Sequence, residues 1–197
     1  MIRKENKRQM IIDKSMELFC EKGYFQTKVD DITKALEISK GNFYTYFKTK
    51  EEVLYEILEI LKEEKIRVMK EINVEKKPKE ILKDFINKRS EIFFKYMKNI
   101  NLQNIDSFLK DKKFVEYMEE IHDISINFLR KNVVNRSGDI KNKSYNDTFI
   151  TEFILISMEG FFLDESLTEN VNLRKGENMT REEKIEQIVE FIYNALK

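Results

Sequence analysis

The chain has 197 residues, of which five are glycine and one is proline, while 37% are charged. Because sheets need many turns, and turns favour glycine and proline, this composition argues against a strand-rich fold and predicts an all-α protein. A single cysteine excludes an intrachain disulfide, and no apolar run approaches the roughly 20 residues that cross a bilayer. We therefore expect a cytoplasmic protein with no membrane partner.

The charges are distributed unevenly although the formal net charge is zero. Residues 1–50 carry 11 Lys and Arg against 7 Asp and Glu, a net charge of +4, and the remaining residues carry a net charge of −4. A basic N-terminal segment on a mildly acidic body is typical of a nucleic-acid-binding head with other partners behind it.

Three helices are predicted in the first 48 residues. Apolar residues at helical spacing indicate a helix over residues 4–22, which ends at Gly23, a residue free to adopt positive φ. Thr27 and Asp30 form a predicted capping box for a short second helix. Ser39 is a suitable N-cap for a third short helix that extends to Phe47.

A longer helical region follows, so the whole chain should hold about nine helices. We divide it into a helix-turn-helix domain at 1–48 and a helical ligand-binding and dimerisation domain at 49–197. Polar loops are expected at 135–146 and 164–179. The predicted helices begin at a Thr49–Glu52 capping box, at Pro78, near Ile105, at a cap on Asp111, at residue 146 and at a Thr180–Glu183 capping box.

Two short helices joined by a tight turn, as predicted between Thr27 and Phe47, form a helix-turn-helix. The second helix of such a motif presents its N-terminal end to the major groove, where small or polar residues let the backbone approach the bases. Ser39, Lys40, Gly41 and Asn42 supply such an end. Phe43 and Phe47 should face the core, with Tyr44 and Tyr46 turned outward.

Residues 8–58 resemble the DNA-binding region of the TetR family of bacterial regulators. The family pattern departs at two positions, since Glu37 stands where the turn usually has glycine and Thr33 where alanine is frequent. A residue other than glycine at position 37 implies a φ cost. The matching residues are Ile11-Ile12, Leu18-Phe19, Gly23-Tyr24, Thr27, Ile32, Ser39, Gly41, Phe43-Tyr44, Tyr46-Phe47, Lys50-Glu51 and Val53-Leu54.

The resemblance implies a homodimer on double-stranded operator DNA. Tyr46 and Lys50 would contact phosphates, together with Thr27 and Lys28 at the positive end of the second helix. Ser39 and Gly41 would let the backbone of the third helix come close to the DNA. The side chains that would enter the major groove are Lys40, Asn42 and Tyr44. Packing of Tyr44 and Tyr46 within the head stays open as an alternative, as does a solvated basic terminus.

The resemblance also implies a cavity for a small-molecule effector, and a dimer interface formed by the last two helices. The apolar character of the helix at 146–163 on nearly every side fits two partner surfaces, and Ser157 and Gly160 would allow close approach. Each aromatic residue can equally be core. The candidate effector-binding residues are Phe93, Tyr96, Phe108, Tyr117, Met118, His122, Phe128, Met158 and Phe162.

We thus expect a ligand-responsive repressor released from DNA by an apolar or aromatic effector, without cofactor, metal or catalytic residues. One His and one Cys cannot build a zinc site, and Cys20 is interpreted as a core residue. A DNA-bound structural or cell-division factor on the same fold is the alternative. A helical enzyme or adaptor that does not bind DNA is a third hypothesis.

Overall fold

A computed structural model of the chain describes residues 2–97, 109–137, 146–171 and 179–196. Within these ranges the protein is helical, without strands, as the composition predicted. A single 3₁₀ turn, Val134–Arg136, joins two of the helices. The helices are α1 Ile2–Lys22, α2 Val29–Ala35, α3 Lys40–Tyr44, α4 Lys50–Lys70, α5 Pro78–Met97, α6 Lys112–Asn132, α7 Asp147–Val171 and α8 Arg181–Leu196.

The chain divides into two compact units. The first holds Met1–Glu64 with Asn99–Glu120, and the second holds Lys65–Lys98 with Ile121–Lys197. Helix α4 begins in the first unit and ends in the second. The predicted functional boundary after residue 48 stays a prediction.

Local capping signals located most helix ends correctly. Ser39 Oγ accepts the Asn42 N–H at 3.1 Å, and Thr49 Oγ1 accepts the Glu52 N–H at 3.2 Å. At α8, Thr180 and Glu183 exchange hydrogen bonds in a complete capping box. These caps are local in sequence, so their residue types are sufficient to predict them.

Three predicted helix ends need correction or fall outside the described ranges. The N-cap of α2 is Lys28, whose N–H donates to Asp31 at 2.8 Å, so the capping box lies one residue after the predicted Thr27–Asp30 pair. Helix α7 continues to Val171, beyond the predicted end at residue 163, and residues 164–171 contain neither the glycine nor the proline that would end it. The short helix expected near Ile105 lies outside the described residues.

The core of the second unit is formed by apolar faces of α4, α5, α6, α7 and α8. Its most buried large side chains include Phe85, Leu129, Leu155 and Phe162. Phe85 stacks on Phe128 with ring centroids 5.5 Å apart. Burial of several such residues at about 1.5–3 kcal/mol each accounts for the stability of this unit.

The first unit has its own core, in which α1, α2 and α3 enclose Ile11, Phe19, Ile32 and Phe43. Phe19 meets Tyr24 edge to face, with ring centroids 5.2 Å apart. This core fixes the turn between α2 and α3, and thereby the direction in which the exposed side of α3 points from the first unit.

Candidate nucleic-acid interface

Helix α3 presents one buried and one exposed side, in the arrangement expected of a recognition helix. Phe43 is fully buried and Phe47 nearly so, while Tyr44 is 53% exposed. Tyr46 is half-buried. The prediction that the two phenylalanines face the core is confirmed, and Tyr44 is available to a partner.

Gly41 lies exposed in the first turn of α3, beside this available face. A Cβ added there would meet only Ser39 Oγ at 3.9 Å, an ordinary van der Waals distance. The fold of the chain itself therefore does not require glycine at this position. A glycine that the fold does not need is consistent with close approach of the backbone to a partner.

Lys40 projects from the start of α3 and pairs with Asp30 of α2, with Nζ 2.6 Å from Oδ1. The hydrogen bond to Asp30 raises the pKa of Lys40, so the ammonium is fully charged at neutral pH. Both side chains are exposed, and exposed pairs of this kind contribute little. Exchanging Asp30 for a DNA phosphate or base would therefore cost little.

Thr27 and Lys50, which are predicted to contact phosphates, also make hydrogen bonds within the head, and their phosphate contacts stay a prediction. Thr27 is buried, and its hydroxyl donates to the carbonyls of Gly23 at 2.7 Å and Leu18 at 3.2 Å. Lys50 donates to the carbonyls of Tyr24 at 2.5 Å and Thr27 at 2.9 Å. Both side chains thereby tie together the connection between α1 and α2.

Desolvation lowers the pKa of Lys50, whose Nζ lies 4.1 Å from the ring centroid of Tyr24. The ammonium is thus held by two carbonyls and an aromatic face. These contacts join residues more than twenty positions apart, so the sequence pattern alone did not predict them.

The positive end of α2 is partly neutralised by its own side chains. Asp30 and Asp31 lie in its first turn, and the hydrogen bond from the Lys28 N–H lowers the pKa of Asp31. A bound phosphate would compete with these carboxylates for the helix dipole. Lys28 itself is exposed and stays a candidate contact through its side chain.

Asn42 and Tyr46 lie at the edge of the exposed face. The Asn42 amide oxygen is covered and has no hydrogen-bond partner, so this side chain must rotate to offer both of its polar atoms to a base. Tyr46 lines a groove with acidic residues and with Arg8, which pairs with Glu56 at 2.8 Å and lies 4.8 Å from the Phe47 ring centroid. Arg8 therefore braces α1 against α4 instead of forming part of a frayed terminus.

The predicted effector-binding residues fall into both units. Phe93, Phe128, Met158 and Phe162 belong to or pack on the core of the second unit, where the ring centroids of Phe93 and Phe162 lie 5.8 Å apart. Tyr96 is half-buried on α5, and its ring is covered by Lys95 with Nζ at 4.6 Å.

Two other predicted effector-binding residues, Tyr117 and Met118, lie in the first unit, the former buried and the latter exposed. His122 is half-buried at the start of the second unit's share of α6. Phe108 lies outside the described residues. That these side chains line one effector cavity stays a prediction.

An apolar stripe is exposed along α7. Phe149, Phe153, Ile156 and Gly160 recur at spacings of four, three and four residues, which places them on one face, and the three large side chains are exposed. On α8, Phe191 is the most exposed large apolar side chain in the described part of the chain. Contiguous exposed apolar surface of this kind marks an interaction site.

The sequence interpretation missed a buried cation, Arg89. This residue interrupts the buried apolar stripe of α5, between Phe85 and Phe93, and it pairs with Glu159 of α7. The position of this arginine among the apolar residues of α5 could have been noticed in the sequence. It would have indicated a buried ion pair, because arginine is rarely buried without a partner.

Cys20 is buried, and its pKa is raised to about 11, mainly by desolvation and also by the charge of Glu21. The thiol is therefore protonated and unreactive at neutral pH, in agreement with its interpretation as a core residue. Within the ranges described above, His, Cys, Asp and Glu form no group of three or more that could hold a metal ion. None of the described helices has the length and apolar character of a membrane span.

Residues 11–57 match the model of the family described as bacterial regulatory proteins, tetR family. An HTH-type transcriptional regulator of Bacillus subtilis, YuxN, is 44% identical over 54 residues, which cover 27% of this chain and 19% of that protein. The HTH-type transcriptional repressor DhaR of a Mycobacterium species is 46% identical over 44 residues, or 22% of each protein. The aligned part thus spans about a fifth of the length of either relative.

The likeness in structure extends over nearly the whole chain. A transcriptional regulator of the TerR/AcrR family from Aquifex aeolicus is 28% identical, covers 96% of both chains and superimposes with a TM-score of 0.58. The likeness thus includes the helices that follow the head.

Proposed function

We propose that this chain is a transcriptional regulator of the TetR family and that it represses genes by binding operator DNA as a homodimer. An apolar or aromatic small molecule would release it. Such a repressor acts on the chromosome and hence in the cytoplasm, and it carries out no catalysis.

The exposed face of α3 is the observation that carries the proposal. Tyr44 and Lys40 project from this face, and Gly41 leaves its backbone open although the fold does not need a glycine there. A short helix with an open N-terminal end is what the major groove admits. Tyr46 and Lys28 would position the head on phosphates, and Lys40, Asn42 and Tyr44 would read bases.

The apolar stripe on α7, together with Phe191 of α8, supports a homodimer through the last two helices. A twofold interface pairs the same surface of both subunits, so a self-complementary apolar stripe is sufficient. Dimerisation is needed because two heads must reach neighbouring major grooves about 34–36 Å apart.

The effector response is supported by the aromatic cluster of the second unit. Phe93, Phe128 and Phe162 provide adaptable apolar contacts next to Met158. An effector must bind the DNA-incompetent form of the dimer more tightly than the competent one, since equal affinity would shift no population. A coupling of about 1–3 kcal/mol is typical of such switches.

The test begins with selection of the operator from random double-stranded DNA. With about 4–5 phosphate contacts per head, log affinity against log salt should fall with a slope of roughly −7 to −9. Tyr46→Phe should weaken binding to operator and random DNA by similar factors, since a phosphate contact positions without specifying sequence. Asn42→Ala should mainly reduce the preference for the operator.

Lys131→Ala, an exposed change on α6 in the second unit, serves as the control and should alter neither quantity. Unchanged DNA affinity in both head variants would show that α3 is not the recognition helix. A dimer that binds its operator but is never released by lipophilic compounds would favour the structural or cell-division factor instead.

A further inference from the structure

Three charged side chains meet inside the second unit, on three different helices. Arg89 of α5 is only 7% exposed and pairs through Nη2 with Glu159 of α7. Lys65 of α4 lies close enough for the charge of Arg89 to affect its pKa. A guanidinium placed among apolar helices requires partners for its donors, because an unpaired buried charge is costly.

The partners that the described residues supply do not satisfy Arg89. Its Nη1 atom is buried and makes no hydrogen bond. Its Nη2 atom donates to Glu159, whose side chain is 41% exposed. Guanidinium groups bind carboxylates best when two parallel donors are used. Arg89 thus has one buried donor group that makes no hydrogen bond.

Lys65 lies in a desolvated place where a second positive charge, that of Arg89, acts on it. Desolvation is the main cause that lowers the pKa of Lys65 to about 7, the positive charge of Arg89 lowers it further, and Glu159 raises it. Two cations close together in a desolvated place repel each other, so an added anion would stabilise both.

Apolar side chains adjoin this cluster along the helices. Phe85 and Phe93 flank Arg89 at i−4 and i+4 on α5, and the Phe93 ring lies 5.8 Å from that of Phe162. A molecule whose charged end reaches Arg89 would therefore place its remaining part against aromatic rings. This juxtaposition suits an amphipathic molecule more than a small inorganic ion.

A second buried ion pair in the same unit lacks these features and serves as a comparison. Lys184 and Glu165 lie 2.7 Å apart with side chains 14% and 10% exposed, so one cation meets one equally shielded carboxylate. Glu159, by contrast, is shared between Arg89 and solvent.

We propose that Arg89, assisted by Lys65, binds the carboxylate of an amphipathic effector whose apolar body packs on Phe93 and Phe162. The carboxylate would accept a hydrogen bond from Arg89 Nη1 and lie near the Lys65 ammonium. This proposal rests on the proposed effector response and gives that effector a chemical class, an apolar monocarboxylate.

The experiment compares three probes of equal chain length on the full-length protein: decanoate, decanol and decyltrimethylammonium. Calorimetry should show that decanoate binds about tenfold or more tightly than decanol, as expected for a charge-assisted hydrogen bond in a shielded place. The cationic probe should bind more weakly than decanol. Arg89→Met, which keeps the side-chain volume, should reduce the affinity for decanoate to that for decanol.

Two further variants keep the test decisive if Arg89→Met fails to fold. Glu159→Gln should strengthen decanoate binding by removing the negative charge that competes for Arg89, and Lys65→Met should weaken it severalfold. The matched control Lys184→Met should leave the preference for decanoate over decanol unchanged. Equal binding of decanoate and decanol, or tighter binding of the cationic probe, would overturn the proposal.

The operator-release assay separates this proposal from the proposed function. Decanoate binding that depends on Arg89 but does not release DNA would support the carboxylate site and contradict the effector response. Release by decanol as effective as release by decanoate, unaffected by Arg89→Met, would support the effector response and overturn the carboxylate site.

Discussion

Individual polar residues in the head differ in whether the fold already uses them. The hydroxyl of Thr27 and the ammonium of Lys50 are engaged by backbone carbonyls, whereas Lys40 has only an exposed partner, Asp30. A donor that is already bonded to a backbone carbonyl offers less to DNA than one that has no such partner. The DNA-binding candidates are accordingly the residues that the head does not need for its own stability.

Gly41 gives the sharpest test at this scale. Gly41→Ala should raise the free energy of unfolding by up to about 1 kcal/mol, because alanine is the better helix former and its Cβ would meet only Ser39 Oγ at 3.9 Å, an ordinary contact distance. The same methyl group should lower operator affinity by tenfold or more if the backbone approaches the bases. Urea unfolding and a fluorescence DNA-binding assay on the same preparation measure the two effects.

The opposite pattern, loss of stability with unchanged DNA affinity, would contradict both the open geometry at Gly41 and its place at the interface. Gly160→Ala provides a comparison on α7, where an added Cβ also meets nothing within 4 Å. Because Gly160 lies outside the head, that variant should not alter the contacts that α3 makes with DNA.

Lys65 predicts a particular dependence of stability on pH. A lysine ordinarily titrates near 10.4, so lowering its pKa to about 7 in the folded protein means that the folded state binds the proton less tightly than the unfolded state. The resulting cost is fully present below about pH 7 and disappears as the pH rises toward the unfolded pKa. Lys65→Met removes this cost.

The variant should therefore be more stable than the parent protein near pH 6, with a margin that shrinks toward about pH 10. Urea unfolding of both proteins across this range, without added ligand, measures the margin. A margin that does not vary with pH would show that Lys65 titrates normally.

At the scale of the elements, the turn between α2 and α3 shows how a helix end fixes the geometry of the head. The N–H of Ile38 donates to the Thr33 carbonyl at 3.0 Å and the N–H of Glu37 to the Lys34 carbonyl at 3.2 Å. These are the two hydrogen bonds of a Schellman motif, which needs a left-handed residue after the helix. Glu37 occupies that position with φ 53°, as its departure from the family's usual glycine predicted.

Glu37→Gly should consequently stabilise the protein by about 0.5–1 kcal/mol, since glycine adopts this conformation without the steric cost of a Cβ. The greater conformational freedom of glycine in the unfolded chain offsets part of this stabilisation. Thermal unfolding should show a higher Tm. Glu37→Ala is the matched control, because it removes the carboxylate but keeps the Cβ. Equal gains from both changes would assign the effect to charge and not to the backbone.

At the scale of the whole molecule, the exposed stripe on α7 is the surface on which the proposed assembly depends. Phe149, Phe153 and Ile156 each leave more than half of their surface exposed in the isolated chain. Covering them with the same stripe of a second subunit would remove apolar area worth about 25 cal/mol per Å².

The parent protein should thus be a dimer at micromolar concentration, with about twice the 23.8 kDa mass of the chain by light scattering. Phe153→Glu should produce monomers, because two like charges would face each other across the twofold interface, and operator affinity should fall with dimerisation. Phe25→Glu replaces an equally exposed phenylalanine of the head and should leave the mass unchanged. A monomeric parent protein would contradict the proposed dimer.

The sequence by itself determined the helical class, the main helix ends and the location of the head. Caps such as Ser39 and Thr180, and the helix end at Gly23 with φ 91°, depend on residues within a few positions of each other. Local chemistry therefore suffices to predict them. The period of apolar residues likewise identified buried positions such as Ile32 and Phe43.

Tertiary structure alone decided which polar side chains are engaged. Lys50 reaches carbonyls more than twenty residues away, Arg8 pairs with Glu56 across 48 positions, and Arg89 with Glu159 across 70. No local pattern specifies such partners, because they come together only when separate helices pack. The burial of a charge, and with it the pKa of Lys65 and the unbonded donor of Arg89, is a property of that packing.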